Sequence, residues 1–487
     1  MLFNSIDFIA FLFALTIIAW KTPQRFRWIL LLISSCFLYA SWNIISLISI
    51  LYCSLLNHCF ANLINNSKSN QNRKTYLIID IILSLLPLFL IKYSGLFMQL
   101  LQSIYSLHVQ YSPESMKWIL PIGISFYTFQ NLSYTIDVYR GNISSEKNIG
   151  LYLLYTSFFP LQLSGPIERA SNLLIQLKSK IHIDYETIFS GCKLMLWGYF
   201  KKLVIADSLA VTVDPIFENP LNHSAYMLML GSVFFSFQIY ADFSGYVDIA
   251  RGVAKLFGIE LSLNFNYPYS SQSIKEFWHR WHITLSTWFR DYIYISLGGN
   301  KLNKVRWSIS IIFVFTISGL WHGSGINYLA WGLTHALFYL IGVYTIEFRN
   351  KILSKILSEN IIKIIRTLFT FILITIAWIF FKAETFSDAL TILSKIVSRF
   401  FLLLTLRTTN EDIVLISNII NNYKILLNML LLSLFIILNN KKNIGKFLSK
   451  DLENKTTIKD LLITDIMIIL IVFLGSNNTR EFIYMNY

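Results

Sequence analysis

Two stretches of the chain carry side chains able to do acid–base chemistry. Ser318 to Ala336, SGLWHGSGINYLAWGLTHA, sets His322 after a long apolar approach and among Gly319, Gly323 and Gly325. An imidazole takes up and returns protons near neutral pH, and glycines let backbone or ligand approach closely. A histidine hydrogen-bonded to a neighbouring helix would read the same way, and an apolar setting alone does not separate the two. His335, in the same stretch, is the weaker candidate.

The second stretch is Glu276 to Asn300, EFWHRWHITLSTWFRDYIYISLGGN, which mixes aromatics with His279, Arg280, His282, Arg290 and Asp291. It is too polar to face lipid. Helical spacing puts Glu276 near His279, and His279 near His282, on one face, a pattern open to a metal. No HExxH and no second carboxylate–histidine set accompanies it, so no metal site is expected and an interfacial or re-entrant amphipathic helix is the plainer reading. There is no GxSxG elbow, no GxGxxG and no GxxxxGK[ST] phosphate loop either. What remains is a histidine able to act as general base, with a second one to orient or polarise a substrate.

These residues have to be positioned by membrane helices. Of the 487 residues 55% are hydrophobic and 14% charged, and the mean hydropathy is +0.54, which excludes a soluble domain of this size. Apolar runs recur at Phe8 to Trp20, Trp28 to Tyr39, Ile44 to Leu63, Tyr76 to Leu90, Tyr226 to Tyr240, Trp307 to Trp321 and Tyr328 to Ile346. Others follow at Ile361 to Phe380, Ile425 to Leu438 and Leu461 to Leu474. With shorter pieces near Ile119, Leu151 and Leu194, roughly 10–12 spans are expected, some re-entrant or tilted. The reading is one all-α, polytopic membrane domain over 1–487, its core motifs within 118–340 and a distinct tail at 476–487.

Between Leu120 and Ala336 the apolar runs are broken by Pro, Gly, His, Asp and Arg, which lipid tolerates only where they face protein or water. A polar tunnel inside a helical shell meets that demand. The net charge of +14 sits in short loops, so it follows the positive-inside rule and no nucleic-acid partner is expected. That rule puts both termini outside the cytoplasm. The first apolar run lacks a small-residue cleavage site and reads as a retained span. Cys36, Cys53, Cys59 and Cys192 have no CxxC spacing and read as small core residues.

Taken together the motifs resemble a family, the membrane-bound O-acyltransferases, and within it the bacterial branch that acylates cell-envelope polymers. The resemblance rests on LPIGISFYTFQNLSYTIDVYRG (Leu120 to Gly141), FFPLQLSGPIERA (Phe158 to Ala170), GYFKKLVIAD (Gly198 to Asp207), QIYADFSGYVDIARGVAKLFGIEL (Gln238 to Leu261), NFNYPY (Asn264 to Tyr269) and both histidine segments. It covers about the central half of the chain and more.

By that resemblance His322 is the catalytic histidine, in a constricted tunnel, and His282 the second functional one. His322 would deprotonate an acceptor hydroxyl as it attacks a thioester carbonyl, and His282 would hydrogen-bond the oxyanion or fix the acyl group. The end of the chain, REFIYMNY, resembles the FIY-type ending of alginate and peptidoglycan acetylation systems; teichoic-acid D-alanylation carries it on a separate small protein. On that likeness Tyr484 is a transient acyl carrier, although Tyr487 stands where the ending usually has Phe; an aromatic interface anchor is the alternative.

The resemblance further implies a multi-pass protein of the bacterial inner membrane, with an exported SGNH-type acetyltransferase or similar protein as partner. No cofactor is permanently bound; acetyl-CoA or another acyl thioester is the donor. Lys201 and Lys202 are candidates to meet its phosphates. Lys92, Asp137, Arg140, Arg169, Lys201, Lys202, Asp242, Asp248 and Arg251 are expected first of all to pair with one another inside the membrane, the phosphate role of the two lysines being the alternative. Peptidoglycan is the leading polymer, followed by alginate or another exopolysaccharide, with a non-catalytic transporter as rival.

Overall fold

The structure, a computed structural model, describes residues 1, 3–93, 121–180, 184–404, 422–439, 458–475 and 480–483. Its helices are, in chain order, α1 (Ile6–Lys21), α2 (Gln24–Trp42), α3 (Ile44–Asn66), α4 (Asn70–Lys92), α5 (Ile124–Arg140), α6 (Ile149–Ser157), α7 (Leu173–Lys178), α8 (Tyr185–Tyr199) and α9 (Asp207–Glu218). They continue as α10 (Ala225–Leu256), α11 (Ile274–Arg280), α12 (Ile283–Phe289), α13 (Lys304–His322), α14 (Ile326–Ile356), α15 (Glu359–Lys382), α16 (Phe386–Leu404), α17 (Tyr423–Leu438) and α18 (Ile458–Leu474). All regular structure among the described residues is helical, as the absence of period-two patterning requires in lipid.

The centre of the body is α10, whose 32 residues are buried almost throughout. Its buried residues lie on every side and include Gln238 and Asp242, and a helix of that kind is stable only when other helices surround it. Here α8, α9, α15 and α16 pack against it. One continuous buried cluster runs from Phe3 to Phe482. The outer faces are apolar as well: Ile309, Ile364, Leu430 and Val472 stand 59–70% exposed, a surface that lipid and not water must cover.

Among the described residues six helices, α3, α4, α10, α13, α14 and α15, are long and apolar enough to cross a bilayer. The expectation of 10–12 counted apolar runs. Several of those form helices too short to span alone, such as Tyr423–Leu438 and Leu461–Leu474. Others fall in broken segments, of which 149–161 passes into a 3₁₀ turn at Phe159–Leu161. Of the four cysteines only Cys53 is buried, and Cys59 and Cys192 are exposed, so the core reading holds for one of them.

Three of the expected pairs among the embedded charges form, Arg251 with Asp248, Lys201 with Asp248 and Lys202 with Asp242, whereas Lys92, Asp137, Arg140 and Arg169 take other partners. Asp137 accepts from the Tyr292 hydroxyl at 2.8 Å, Arg169 reaches Asp291 at 3.8 Å and stacks on Tyr292, and Arg251 lies 3.6 Å from Asp248. Arg140 donates to the Asp291 carbonyl and to Ser296. Arg140 is exposed, and Asp137, Arg169, Asp248, Arg251 and Asp291 are part-exposed, so these partners satisfy charges that solvent also reaches.

Candidate active site

His322 is the last residue of α13. The helix begins at Asn303, whose side chain accepts from the Arg306 amide at 2.9 Å, and stops because Gly323 takes an extended conformation. Its carboxyl end is gripped by the end of α4. Lys92 donates to the Trp321 carbonyl and Tyr93 to the Leu320 carbonyl. Those carbonyls are among the acceptors a helix end leaves unsatisfied, and a cation there also meets the negative end of the helix dipole.

The glycines around His322 serve the approach of α14. A methyl on Gly319 would lie 2.3 Å from the Tyr328 carbonyl oxygen, and one on Gly332 would lie 2.3 Å from that of Phe315, with the two glycine Cα atoms close by. Gly319→Ala must therefore spread the two helices. We expect a loss of about 1–3 kcal/mol, seen as a lower thermal midpoint in detergent, together with slower transfer; Gly342→Ala on α14, where the methyl meets nothing within 4 Å, should change neither.

Three rings wall the His322 imidazole, those of Trp321, Trp331 and Phe381, at centroid distances of 4.8, 5.0 and 5.2 Å and nearly perpendicular to it. The histidine is 3% exposed. Trp321 also stands between His322 and His282, whose ring centroid is 6.3 Å from the indole. On the other side Trp331 lies 4.9 Å from His335. Each of the two tryptophans thus contacts two of the three histidines, and the His322 imidazole sits in a buried, aromatic-walled chamber in which electrostatic interactions act with little screening.

His282 sits between α11 and α12 with φ +43°, a left-handed conformation that costs a residue with a side chain energy. Asn264 holds it there: its carbonyl accepts the Ile283 amide at 3.0 Å, and its Oδ1 accepts the Thr284 amide at 3.1 Å, the Thr284 hydroxyl at 2.9 Å and His282 Nδ1 at 3.1 Å. A backbone N–H can only donate, so the atom facing it is the amide oxygen, and His282 must carry a proton on Nδ1. The neutral ring then has its lone pair on Nε2. In that form Nε2 is an acceptor, and the expectation that His282 donates a hydrogen bond to an oxyanion would need a doubly protonated ring. The buried amide hydrogens of Asn264 Nδ2 have no partner among the described residues.

Asn264 was not singled out by sequence, and only its tight NFNYPY surroundings hinted at it. Asn264→Ala should lower transfer by on the order of 10²-fold by releasing the His282 tautomer. Asn264→Asp, which keeps the acceptor, should recover part of the loss when rates are measured on membranes with matched protein levels.

Lys201 and Lys202 lie in a π-helical turn, Phe200–Ala206, that sends the two neighbours to different partners. Lys201 reaches Asp248 at 2.6 Å and Ser244 at 2.8 Å. Lys202 reaches Asp242 at 2.7 Å and Asp207 at 2.9 Å. Both are at most 2% exposed. Buried and neutralised in this way, they do not present charge to the phosphates of a donor, because a second anion would have to displace a carboxylate that cannot leave.

A cavity of about 450 Å³ opens elsewhere, between α11, α12, α13 and α14. Lys275, His279 and Arg290 are exposed along it, and Trp278, Phe315 and Ser318 line its inner part. Trp278 and Phe315 are also walls of His335, at 5.0 and 6.2 Å, and Ser318 is one helical turn before His322. Glu276 is held by Arg280 at 2.7 Å and accepts from the Gln272 amide, so it is engaged away from His279.

Tyr484 lies outside the described residues. The four residues before it are described and are docked on the body. Phe482 is 1% exposed, packed on Tyr246 at 5.1 Å, which is the environment of a core ring and not of an aromatic anchor at the lipid interface.

An apolar helical body with one histidine buried at a glycine-packed helix junction, and a second fixed beside it, is the arrangement of a membrane acyltransferase. The model of the membrane-bound O-acyltransferase family matches residues 36–382, and the chain belongs to that family. It is 34% identical over 369 residues to the "Probable alginate O-acetylase AlgI" of Pseudomonas aeruginosa, covering 75% of this chain and 69% of that protein. It is 33% identical over 393 residues to the peptidoglycan O-acetyltransferase of Helicobacter pylori, covering 75% and 73%. The teichoic acid D-alanyltransferase of Bacillus subtilis is 30% identical over 234 residues, 44% of this chain and 57% of that protein. The chain is an O-acyltransferase embedded in a membrane by several spans.

Proposed function

We propose that the protein takes an acetyl group from a cytoplasmic thioester and passes it across the bacterial inner membrane for O-acetylation of an envelope polysaccharide, with peptidoglycan as the polymer. The observation that carries this is His322, buried among three aromatic rings inside the segment shared with relatives named for alginate and peptidoglycan acetylation. His322 removes the proton of the Tyr484 phenol as its oxygen attacks the thioester carbonyl. The tetrahedral oxyanion then collapses, the C–S bond breaks, and the thiolate takes the proton back from the imidazolium. Acetyl-tyrosine and free thiol are the products. Asn264 Nδ2 is the N–H available to the oxyanion, and His282, with Nδ1 engaged, orients the acceptor through Nε2.

The donor's phosphates are better served by Lys275, His279 and Arg290 at the 450 Å³ cavity than by Lys201 and Lys202. From there the arm of the thioester would run along Trp278 and Phe315 towards the His322 chamber. The acetylated chain end is then emptied by an exported SGNH-type acetyltransferase or a similar protein, which places both termini outside the cytoplasm.

The polymer is tested by deleting the gene and measuring base-labile acetate on purified peptidoglycan and on secreted polysaccharide. Acetate should fall on peptidoglycan and return on complementation. A loss confined to the secreted polysaccharide would overturn the polymer and leave the transfer chemistry standing.

A further inference from the structure

The Lys202 cluster holds more than its own ion pairs. Lys202 Nζ also donates to the Glu481 carbonyl at 3.0 Å, and its ammonium lies 4.6 Å from the Phe482 ring centroid. Asp242, through the oxygen that does not face Lys202, accepts the Ile483 amide at 2.8 Å. Arg480 donates to Asp214 at 2.6 Å, and its carbonyl accepts from Asn4 at 3.2 Å. Asp214 in turn holds Lys382 at 2.8 Å.

We propose that Lys202, Asp242 and Asp214 form a reversible dock for the chain's own C-terminal segment, Arg480–Ile483, holding it for loading and releasing it for hand-off. This rests on the relay reading above for its purpose, though not for its geometry. Three features favour a dock over a permanent structural seam. Three of the four hydrogen bonds are to backbone atoms of the segment, the way a peptide is recognised. The charges favour this occupant: Lys202 and Lys382 face three carboxylates, Asp207, Asp214 and Asp242, and Arg480 brings a third cation to them, while Glu481 is exposed. The outer clasp, Arg480 with Asp214, has side chains 38% and 30% exposed, so solvent screens it and it opens readily.

Room to open is present. A cavity of about 420 Å³ lies against the docked segment and is lined by Lys202, Asp207, Asp214, Gln238, Asp242 and Lys382. The base of the dock is preformed by the ion cluster, and Tyr246, under Phe482, is fixed by its bonds to Pro160 and Leu163. The moving part is therefore the tail.

The test uses full-length purified protein with Ile483→Cys as reporter and the exposed Cys59 and Cys192 replaced by Ser. A water-soluble maleimide is added, and labelling of the tail peptide is timed by mass spectrometry. Arg480→Glu should speed labelling roughly threefold to tenfold and Arg480→Lys should not. Phe482→Ala should bring labelling to the rate of a free peptide. Buried Cys53 must stay unlabelled throughout, which separates release from unfolding. Polymer acetylation should fall with Arg480→Glu and return with Arg480→Lys. Unchanged labelling in both Arg480→Glu and Phe482→Ala overturns the dock, and faster labelling with undiminished acetylation overturns its positioning role. Because labelling needs no turnover, a failure of the Tyr484 relay would leave this readout intact.

Discussion

Replacing His322 with asparagine should cut acetyl transfer to the polymer by about 10²–10⁴-fold at matched protein levels, the range lost when a positioned general base is removed. Asparagine is the better test than alanine. It fills most of the space among Trp321, Trp331 and Phe381, so collapse of the chamber contributes little. The assay is transfer from a labelled acetyl donor to polymer in membranes containing the exported partner. A pure transporter with the same passage would not need an imidazole at its midpoint. A rate within about threefold of wild type, too small a change for the loss of a general base, would return His322 to the role of a buried structural histidine and restore the transporter reading.

The second large effect belongs to the chain end. Tyr484→Phe removes one oxygen and keeps the ring, so the fold and the Phe482 dock are untouched, yet no ester can form at that position. Polymer acetylation should drop to background, while the protein remains as abundant and as thermally stable as wild type. Acetylation at the wild-type level would remove Tyr484 from the route and leave direct transfer from the histidine chamber to the acceptor.

His322 was legible because its signal is local: one imidazole, three nearby glycines and an apolar approach lie within eight residues, and the glycines turned out to be where α13 and α14 touch. The aromatic content of the second segment marked His282 as embedded, for the same reason. Its tautomer was not legible, since that depends on Asn264, 18 residues earlier in the chain and brought alongside only by the fold.

Lys201 and Lys202 show the opposite limit. In sequence they are two adjacent cations for which pairing inside the membrane is expected, but which carboxylate each one takes is not legible. Their partners Asp242 and Asp248 lie about 40 residues away on another helix, and a π turn, which leaves no periodic trace, sends the two side chains apart. The number of spans that helices make is hidden for a related reason. A hydropathy window sees apolar runs, whereas the length of a helix is decided where breaks fall, as at Phe159–Leu161. The aromatic and apolar content of the tail predicts that it is not free, and the seating of Phe482 agrees, but its receptor is visible only in the three-dimensional contacts of Lys202, Asp242 and Asp214.

The relay itself is tested most directly by looking for its intermediate. Purified full-length protein would be incubated with isotopically labelled acetyl donor in the absence of the exported partner, and the C-terminal peptide analysed by mass spectrometry. The account predicts one labelled acetyl group on Tyr484 in the wild type, lost on adding the partner and absent from His322→Asn. An unlabelled Tyr484 in a preparation that acetylates polymer at full rate, or equal label on wild type and His322→Asn, would contradict it.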